Sequence, residues 1–259
     1  MISVITITYN NLAGLKDTLN SVSEFATING SLIKELVIVD NMSSDSTEVY
    51  LENFDIHGVD LIYHRESDTG VYDAMNKGVA LANNDFVIFI NSGDSLLNSI
   101  YEEDIRGIYS ESVAGVAFSC LYSFGARKKI IYPRKVKKNF PRLPGLHQGM
   151  LYKRKVLIDV KYDVKFEICG DFDNVCRIYA LDCNNTFLCN TKVISALEAG
   201  GISTLRPRKL FRESTGIVKR NTSISIFFKL VYHVRLFFKL VIFQCYYRAN
   251  QAFALKIKI

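Results

Sequence analysis

Apolar residues in the first hundred positions alternate between short unbroken runs and helical spacings. Residues 3–9 (SVITITY) form a β-branched run ending at Asn10-Asn11, which predicts a buried strand closed by a polar turn. Leu12, Leu15, Leu19, Val22 and Ala26 then recur at helical spacing and predict a helix with one apolar face. Residues 35–39 (ELVIV) predict a second buried strand that stops at Asp40, followed by a Ser/Asp-rich loop and a helix around 45–54. Residues 60–64 (DLIYH) predict a third strand. Val71, Met75 and Val79 mark one face of a helix over 71–82, and 85–90 (DFVIFI) predict a fourth strand before Asn91-Ser92-Gly93-Asp94.

Strands that are apolar throughout, separated by helices, predict a parallel sheet covered on both faces. Such sheets bind ligands beyond the carboxyl ends of their strands. Three of the predicted strand ends are polar or acidic: Thr8-Tyr9-Asn10, Asp40-Asn41 and Asn91 to Asp94. Strand-end turns also select Asp and Asn, but three such ends together exceed what turns alone require. The second half is less regular. Residues 113–119 and 128–133 predict a strand pair, 148–152 another strand and 172–181 a helix. The expected class is α/β, with a mostly parallel sheet flanked by helices and a mixed-sheet second half.

Composition narrows the class. With 259 residues, 49% hydrophobic and 22% charged, the chain can build one large core or two small ones. The net charge of +6 is uneven. Residues 1–105 are acidic or balanced, while cations gather from Arg127 to Lys138 and from Arg206 to Arg220, regions suited to phosphate partners. The six cysteines form no C-x-x-C pair and mostly sit in apolar stretches, so buried thiols in a reducing cytosol are expected. The N-terminus does not read as a signal peptide, and no uncharged apolar run reaches the roughly 18 residues of a spanning helix.

The stretches SVITITYNN (3–11), ELVIVDNMSSDST (35–47) and ESDTGVYDAMNKGVALANNDFVIFINSGD (66–94) resemble family 2 glycosyltransferases of GT-A, Rossmann-like fold. GVYDAMNKG (70–78), HQGMLYKR (147–154) and GDFDNVCR (170–177) resemble a bacterial subgroup that builds O-antigen, capsule or exopolysaccharide repeat units. The resemblance covers about residues 1–205 in order.

That resemblance implies roles. Thr8, Tyr9, Asn10 and Asp40 would hold the uracil or ribose of a UDP-sugar, Asp40 otherwise being a turn residue. Asp68, Asp73, Asn76 and Lys77 would flank the donor site, although Asp73 lies off the apolar face of its helix and reads equally as a solvated acid. His147 would face the diphosphate or the acceptor. Asn91-Ser92-Gly93-Asp94 stands where the family usually has an Asp-x-Asp motif; here Asp94 alone keeps the acid and would hold Mn2+ or Mg2+, with Asn91 at the ribose or the cation. Asp171 would be the general base of an inverting transfer, with Asp173 as runner-up. A helix beginning at 172 would also place Asp171 at its N-cap.

The tail adds a partner. Within 221–247, taking about 100° per residue, Lys229, His233, Arg235 and Lys239 share one arc, and Phe227, Leu230, Val231, Val234, Phe237, Phe238 and Val241 fill the other. A basic face opposite an aromatic one, after an Arg/Lys cluster, predicts a helix lying on an anionic membrane; packing on the enzyme's own core is the alternative. The organisation expected is a GT-A domain over 1–205, divided into a nucleotide-sugar half (1–105) and an acceptor half (106–205), and a membrane-associating tail over 206–259. The activity expected is transfer of a hexose, glucose or galactose, from UDP to an undecaprenyl-diphosphate-linked saccharide at the inner face of the cell membrane. A nucleotidyltransferase would want a Gly-rich, basic loop after the first strand, which TYNNLAG is not. No nucleic-acid-reading module accompanies the cations. A non-catalytic membrane-surface scaffold or sugar-nucleotide-binding protein of the same fold is the remaining alternative.

Overall fold

The computed structural model describes residues 1–136, 142–181, 186–199, 206–220, 229–234 and 238. Most of the 221–247 helix expected from the sequence lies outside these residues. The chain runs β1 (Ile2–Thr8), α1 (Leu12–Ala26), β2 (Ile33–Asp40), α2 (Thr47–Leu51), β3 (Asp60–Arg65), α3 (Val71–Leu81), β4 (Phe86–Phe89), β5 (Ser95–Leu96), β6 (Val113–Phe124), β7 (Arg127–Ile131), β8 (Met150–Lys153), α4 (Arg154–Asp159), α5 (Gly170–Leu181), β9 (Thr186–Glu198) and α6 (Pro207–Arg220).

Among the described residues one sheet has the order β3-β2-β1-β4-β8-β6-β9-β5, with β7 added to β6. β1 pairs in parallel with β2 and β4, and β2 with β3. The direction changes at β8, which is antiparallel to both β4 and β6. This is the mixed second half that the sequence predicts, and β6 and β7 form the expected hairpin pair.

The period-2 alternation of strands divides the core between the two faces. Val37, Val39, Ile5 and Phe89 face one cluster with α3, α5 and α6, whereas Leu36, Ile38, Val4 and Ile88 face a second with α1. Each fully buried aliphatic side chain contributes about 1.5–3 kcal/mol of transfer free energy. α3 lies so close to β1 that a Cβ at Gly78 would stand 2.4 Å from Ile5 Cγ2.

Two expectations change here. α5 begins at Gly170, so Asp171 sits inside the first turn and not at the cap. Residues 206–220 belong to the domain rather than to a separate tail, because Ile217 and Val218 are buried in the cluster of α3 and α5. No described helix is long and apolar enough to cross a membrane.

Candidate functional site

Because β1, β2 and β4 are parallel, their carboxyl ends open on one edge. Thr8 stands opposite Asp40, and Asp40 opposite Arg65. The Asn41 N–H donates to the Thr8 carbonyl at 3.1 Å, and the Ser92 N–H to the Ile7 carbonyl at 3.2 Å. The three polar strand ends read from the sequence are therefore neighbours.

Asp40 is fully buried. Its carboxylate accepts the Ser43 N–H at 3.1 Å, the Ser43 hydroxyl, and the Tyr63 hydroxyl at 3.2 Å, with Arg65 Nε 3.6 Å away. Those bonds fold the 41–46 loop back on the strand. Asp40 thus braces the wall of the site at the carboxyl end of β2. Asn10, at φ 47°, takes the same bracing part: its Oδ1 accepts the Ser44 N–H at 2.8 Å and its own N–H donates to Ser43 Oγ at 2.8 Å. The Tyr9 ring, 61% exposed, stands open beside them. Thr8 Oγ1 is buried with no hydrogen-bond partner.

The turn before α3 is closed by its own side chains. Asp68 accepts the Gly70 N–H at 2.9 Å, and burial raises its pKa. Asp73 accepts from the Thr69 N–H at 2.9 Å and the Thr69 hydroxyl at 3.2 Å, so it is an engaged turn residue and not a solvated acid. Lys77 donates to the Ser67 carbonyl at 2.6 Å and pairs with Glu66 at 3.3 Å. Asn76 departs from its expected donor role. Its amide gives a hydrogen bond to the Tyr162 carbonyl and takes one from the Tyr162 N–H, both at 2.9 Å, and so clamps the 160–168 loop to α3.

The Asn91–Asp94 turn is pinned by α1. Thr18 Oγ1 donates to the Asp94 carbonyl at 2.6 Å, and Gly93, at φ 98°, donates to Thr18 Oγ1 at 3.0 Å. The Asp94 carboxyl accepts Gln148 Nε2 at 3.0 Å, and burial raises its pKa to about 6. Asn91 Oδ1 is buried without a partner. No cluster of three His, Cys, Asp or Glu able to hold a metal occurs among the described residues. One carboxylate and one orphaned amide oxygen do fit a hard divalent cation whose remaining ligands are phosphate and water.

Asp171 lies in the first turn of α5. It is partly buried, accepts the Phe172 N–H at 2.7 Å, and burial raises its pKa to about 6. Asp173 is committed elsewhere: Arg177 Nε lies 2.7 Å from one carboxylate oxygen and Arg220 3.7 Å from the other. Asp173 therefore has two cationic neighbours, whereas no ion pair reaches Asp171 among the described residues. His147 is enclosed. Its imidazole is buried against the Phe89 ring, Nε2 shares a hydrogen bond with the Tyr162 hydroxyl at 3.0 Å, and burial lowers its pKa to about 4. Its Nε2 is thereby engaged within the protein, and the ring packs between the β4 strand and the 160–168 loop.

Two residues outside the expected set join the walls. Gln148 reaches Asp94, while its neighbour His147 holds Tyr162, which stacks on Tyr72 at 5.5 Å. Tyr72 packs against Gly170, the residue before Asp171: a Cβ at Gly170 would meet its ring 2.7 Å away. Gln148 is the neighbour of His147 in HQGMLYKR, and Tyr72 lies inside GVYDAMNKG without any pattern that marks it.

Residues 3–172 match the profile of the family described as Glycosyl transferase family 2. A PGL/p-HBAD biosynthesis glycosyltransferase of Mycobacterium bovis (strain BCG / Pasteur 1173P2) is 29% identical over 222 residues, covering 78% of this chain and 79% of the relative. S. aureus TarS 1–349 in complex with UDP superimposes with a TM-score of 0.61 at 18% identity, over 84% of this chain and 64% of that one. The mannosyltransferase PcManGT from Pyrobaculum calidifontis, in complex with GDP-Man and Mn2+, does so with a TM-score of 0.64 at 15% identity, over 85% and 63%. At such identities the two structures speak for the fold, which is GT-A-like. The profile match spans well over half of the chain, including β1, β2, β4 and the turn that carries Asp94, and it places the chain in glycosyl transferase family 2, as a glycosyltransferase.

Proposed function

We propose that the enzyme moves a hexose, glucose or galactose, from UDP to a lipid-linked saccharide with inversion, in the assembly of a surface polysaccharide of the O-antigen, capsule or exopolysaccharide kind. One observation carries the reading. Two carboxylates, Asp94 and Asp171, make no ion pair among the described residues, each is raised to about 6, and the adjacent residues Gln148 and His147 reach toward them, Gln148 to Asp94 and His147 through Tyr162 to Tyr72 beside Gly170. For Asp171, a carboxyl held near neutrality and free of a cation is what a general base requires, and Asp94 without an ion pair is open to a metal.

The nucleoside lies along Tyr9, Thr8 and the loop braced by Asp40 and Asn10, with Asp68, Asp73 and Lys77 shaping the rim. Asp94 and Asn91 would hold Mn2+ or Mg2+, which neutralises diphosphate charge when bound. Asp171 takes the proton of the acceptor hydroxyl as that oxygen bonds to the anomeric carbon. The bond from the anomeric carbon to the diphosphate oxygen breaks, and its electron pair leaves on UDP. One base suffices, and the anomeric configuration inverts in the single displacement. S. aureus TarS has been solved with UDP and with UDP-GlcNAc, which favours a uridine donor.

A lipid-linked acceptor stays in the membrane, so the protein must approach it from the cytoplasmic face. The exposed cations Arg208, Arg212, Lys219, Lys128 and Lys129 support that approach, and residues 221–247 would supply the apolar contact. Thermal-shift measurements with UDP, GDP, CMP and dTDP, with and without manganese, test the donor site. A shift by UDP that grows with manganese is expected. No shift by any nucleotide in a folded sample would leave the scaffold reading instead.

A further inference from the structure

Residues 161–169, which lead into Asp171, form neither helix nor strand. Such a segment can hold a reacting carboxylate in place only if its backbone donors are satisfied. Glu213 on α6 satisfies three in succession. Its Oε1 accepts the Glu167 N–H at 3.1 Å, and its Oε2 accepts the Ile168 N–H at 3.0 Å and the Cys169 N–H at 2.9 Å. Consecutive amides converging on one anion make a nest, here filled by the protein's own carboxylate.

Other residues of the arm reinforce the grip. Arg206 pairs with Glu167 at 2.8 Å, the Leu210 carbonyl accepts Cys169 Sγ at 3.7 Å, and Arg220 lies over the Phe166 ring at 5.3 Å. Tyr232 stacks on Phe172, the neighbour of Asp171, at 6.2 Å and 12°. From the opposite side the Tyr72 hydroxyl donates to the Ile168 carbonyl at 2.7 Å. Every residue of the arm lies beyond position 172, where the family match ends.

We propose that Glu213 is a positioning residue for Asp171: by gathering the amides of 167–169 it fixes the turn from which Asp171 projects, so the C-terminal arm is part of the catalytic apparatus. The proposal rests on Asp171 being the base. Glu213 acts in two ways. It sets the geometry of the turn, and its negative charge nearby adds to the proton affinity of Asp171. Glutamine at 213 keeps the length but removes the charge and turns an NH2 toward amides that need an acceptor.

The test compares wild type, Glu213→Gln and Asp171→Asn. Its readouts are hydrogen exchange of peptides covering 165–172, carbon-13 titration of the Asp171 carboxyl, and UDP release from UDP-glucose and UDP-galactose with manganese. For Glu213→Gln, exchange at 167–169 should rise about tenfold or more, and kcat should fall about tenfold or more with the KM for donor unchanged. The Asp171 midpoint should move to lower pH. Native exchange rates, or wild-type kcat beside an inactive Asp171→Asn, overturn the positioning role alone. Full UDP release by Asp171→Asn overturns the base assignment instead. If Glu213→Gln does not fold, Glu213→Asp replaces it: the charge stays but the reach shortens, so protection and kcat should fall while the midpoint holds, and native protection would again overturn the proposal.

Discussion

Asp171 pays for its reactivity in stability. Its pKa is raised to about 6 by burial, so the folded protein binds the proton more tightly than the unfolded chain does. Stability from this group is present below the unfolded carboxylate pKa, falls as pH rises through about 6, and the ionised acid is a net cost at pH 7. Asp171→Asn removes that cost while its amide oxygen can still accept the Phe172 N–H. The variant should be more stable than wild type by about 1–3 kcal/mol at pH 7, with the gain vanishing near pH 4. Its transfer rate should drop about 10²–10⁴-fold. Urea midpoints across pH and initial rates check the two halves; equal stability at pH 7 would mean that the carboxylate is not strained by burial. Asp94 titrates in the same range for the same cause. If it holds the cation, protons and manganese compete, and manganese affinity measured calorimetrically with UDP present should fall about tenfold per unit below pH 6. An affinity flat from pH 7 to 5 would place the cation elsewhere. Residue identity alone does not reveal which acids are free. Asp171 and Asp173 are two positions apart in sequence, and only the placement of Arg177 and Arg220 separates them. Nor does residue type show that Asp40, Asn76 and His147 also bond within the protein, to Ser43, to the Tyr162 backbone and to the Tyr162 hydroxyl.

The elements of the first half were legible because their signals are strong and local. β1 and β2 are rich in β-branched residues and buried along nearly their whole length, and α1 has apolar residues at 15, 19, 22 and 26. β5 has two residues and a partner about a hundred positions away, so nothing nearby in the chain announces it. The start of α5 moved by two residues because Gly170, a poor helix former, is held there by packing against Tyr72 rather than by propensity. Gly78, the last residue of the GVYDAMNKG stretch, has a packing meaning as well. A methyl there would stand 2.4 Å from Ile5 Cγ2, on a branched side chain fully buried in the central strand. Gly78→Ala gains helix propensity of about 1 kcal/mol, but overpacking costs more, and the net expected loss is about 1–2 kcal/mol. Denaturant unfolding reads it directly, and a stabilised Gly78→Ala would mean that α3 can move off β1 freely.

At the scale of the whole molecule the chain does not divide where its charge pattern suggests. The cations from Arg206 to Arg220 read as the start of a detachable basic tail, yet α6 is two-faced. Arg208, Arg212, Lys219 and Arg220 are exposed, while Ile217 and Val218 are buried with Val175 and Ile178 of α5. A charge count cannot see the buried face, because two apolar residues near the end of a basic helix are a weak signal. The two possible cuts must then behave differently. Removing 206–259 strips apolar cover from α5 and leaves the amides of 167–169 without Glu213, so cooperative unfolding should be lost or the stability should fall by several kcal/mol. Removing only 221–259 leaves α6 with Ile217 and Val218 in the core and takes away the Tyr232 ring that stacks on Phe172. That protein should unfold cooperatively, bind UDP as the full chain does, and fail to co-sediment with anionic liposomes. A shortened protein ending at 205 with full-length stability would show that α6 is an appendage. A protein ending at 220 that still co-sediments would move the membrane contact to the cations of α6 and the β6–β7 hairpin.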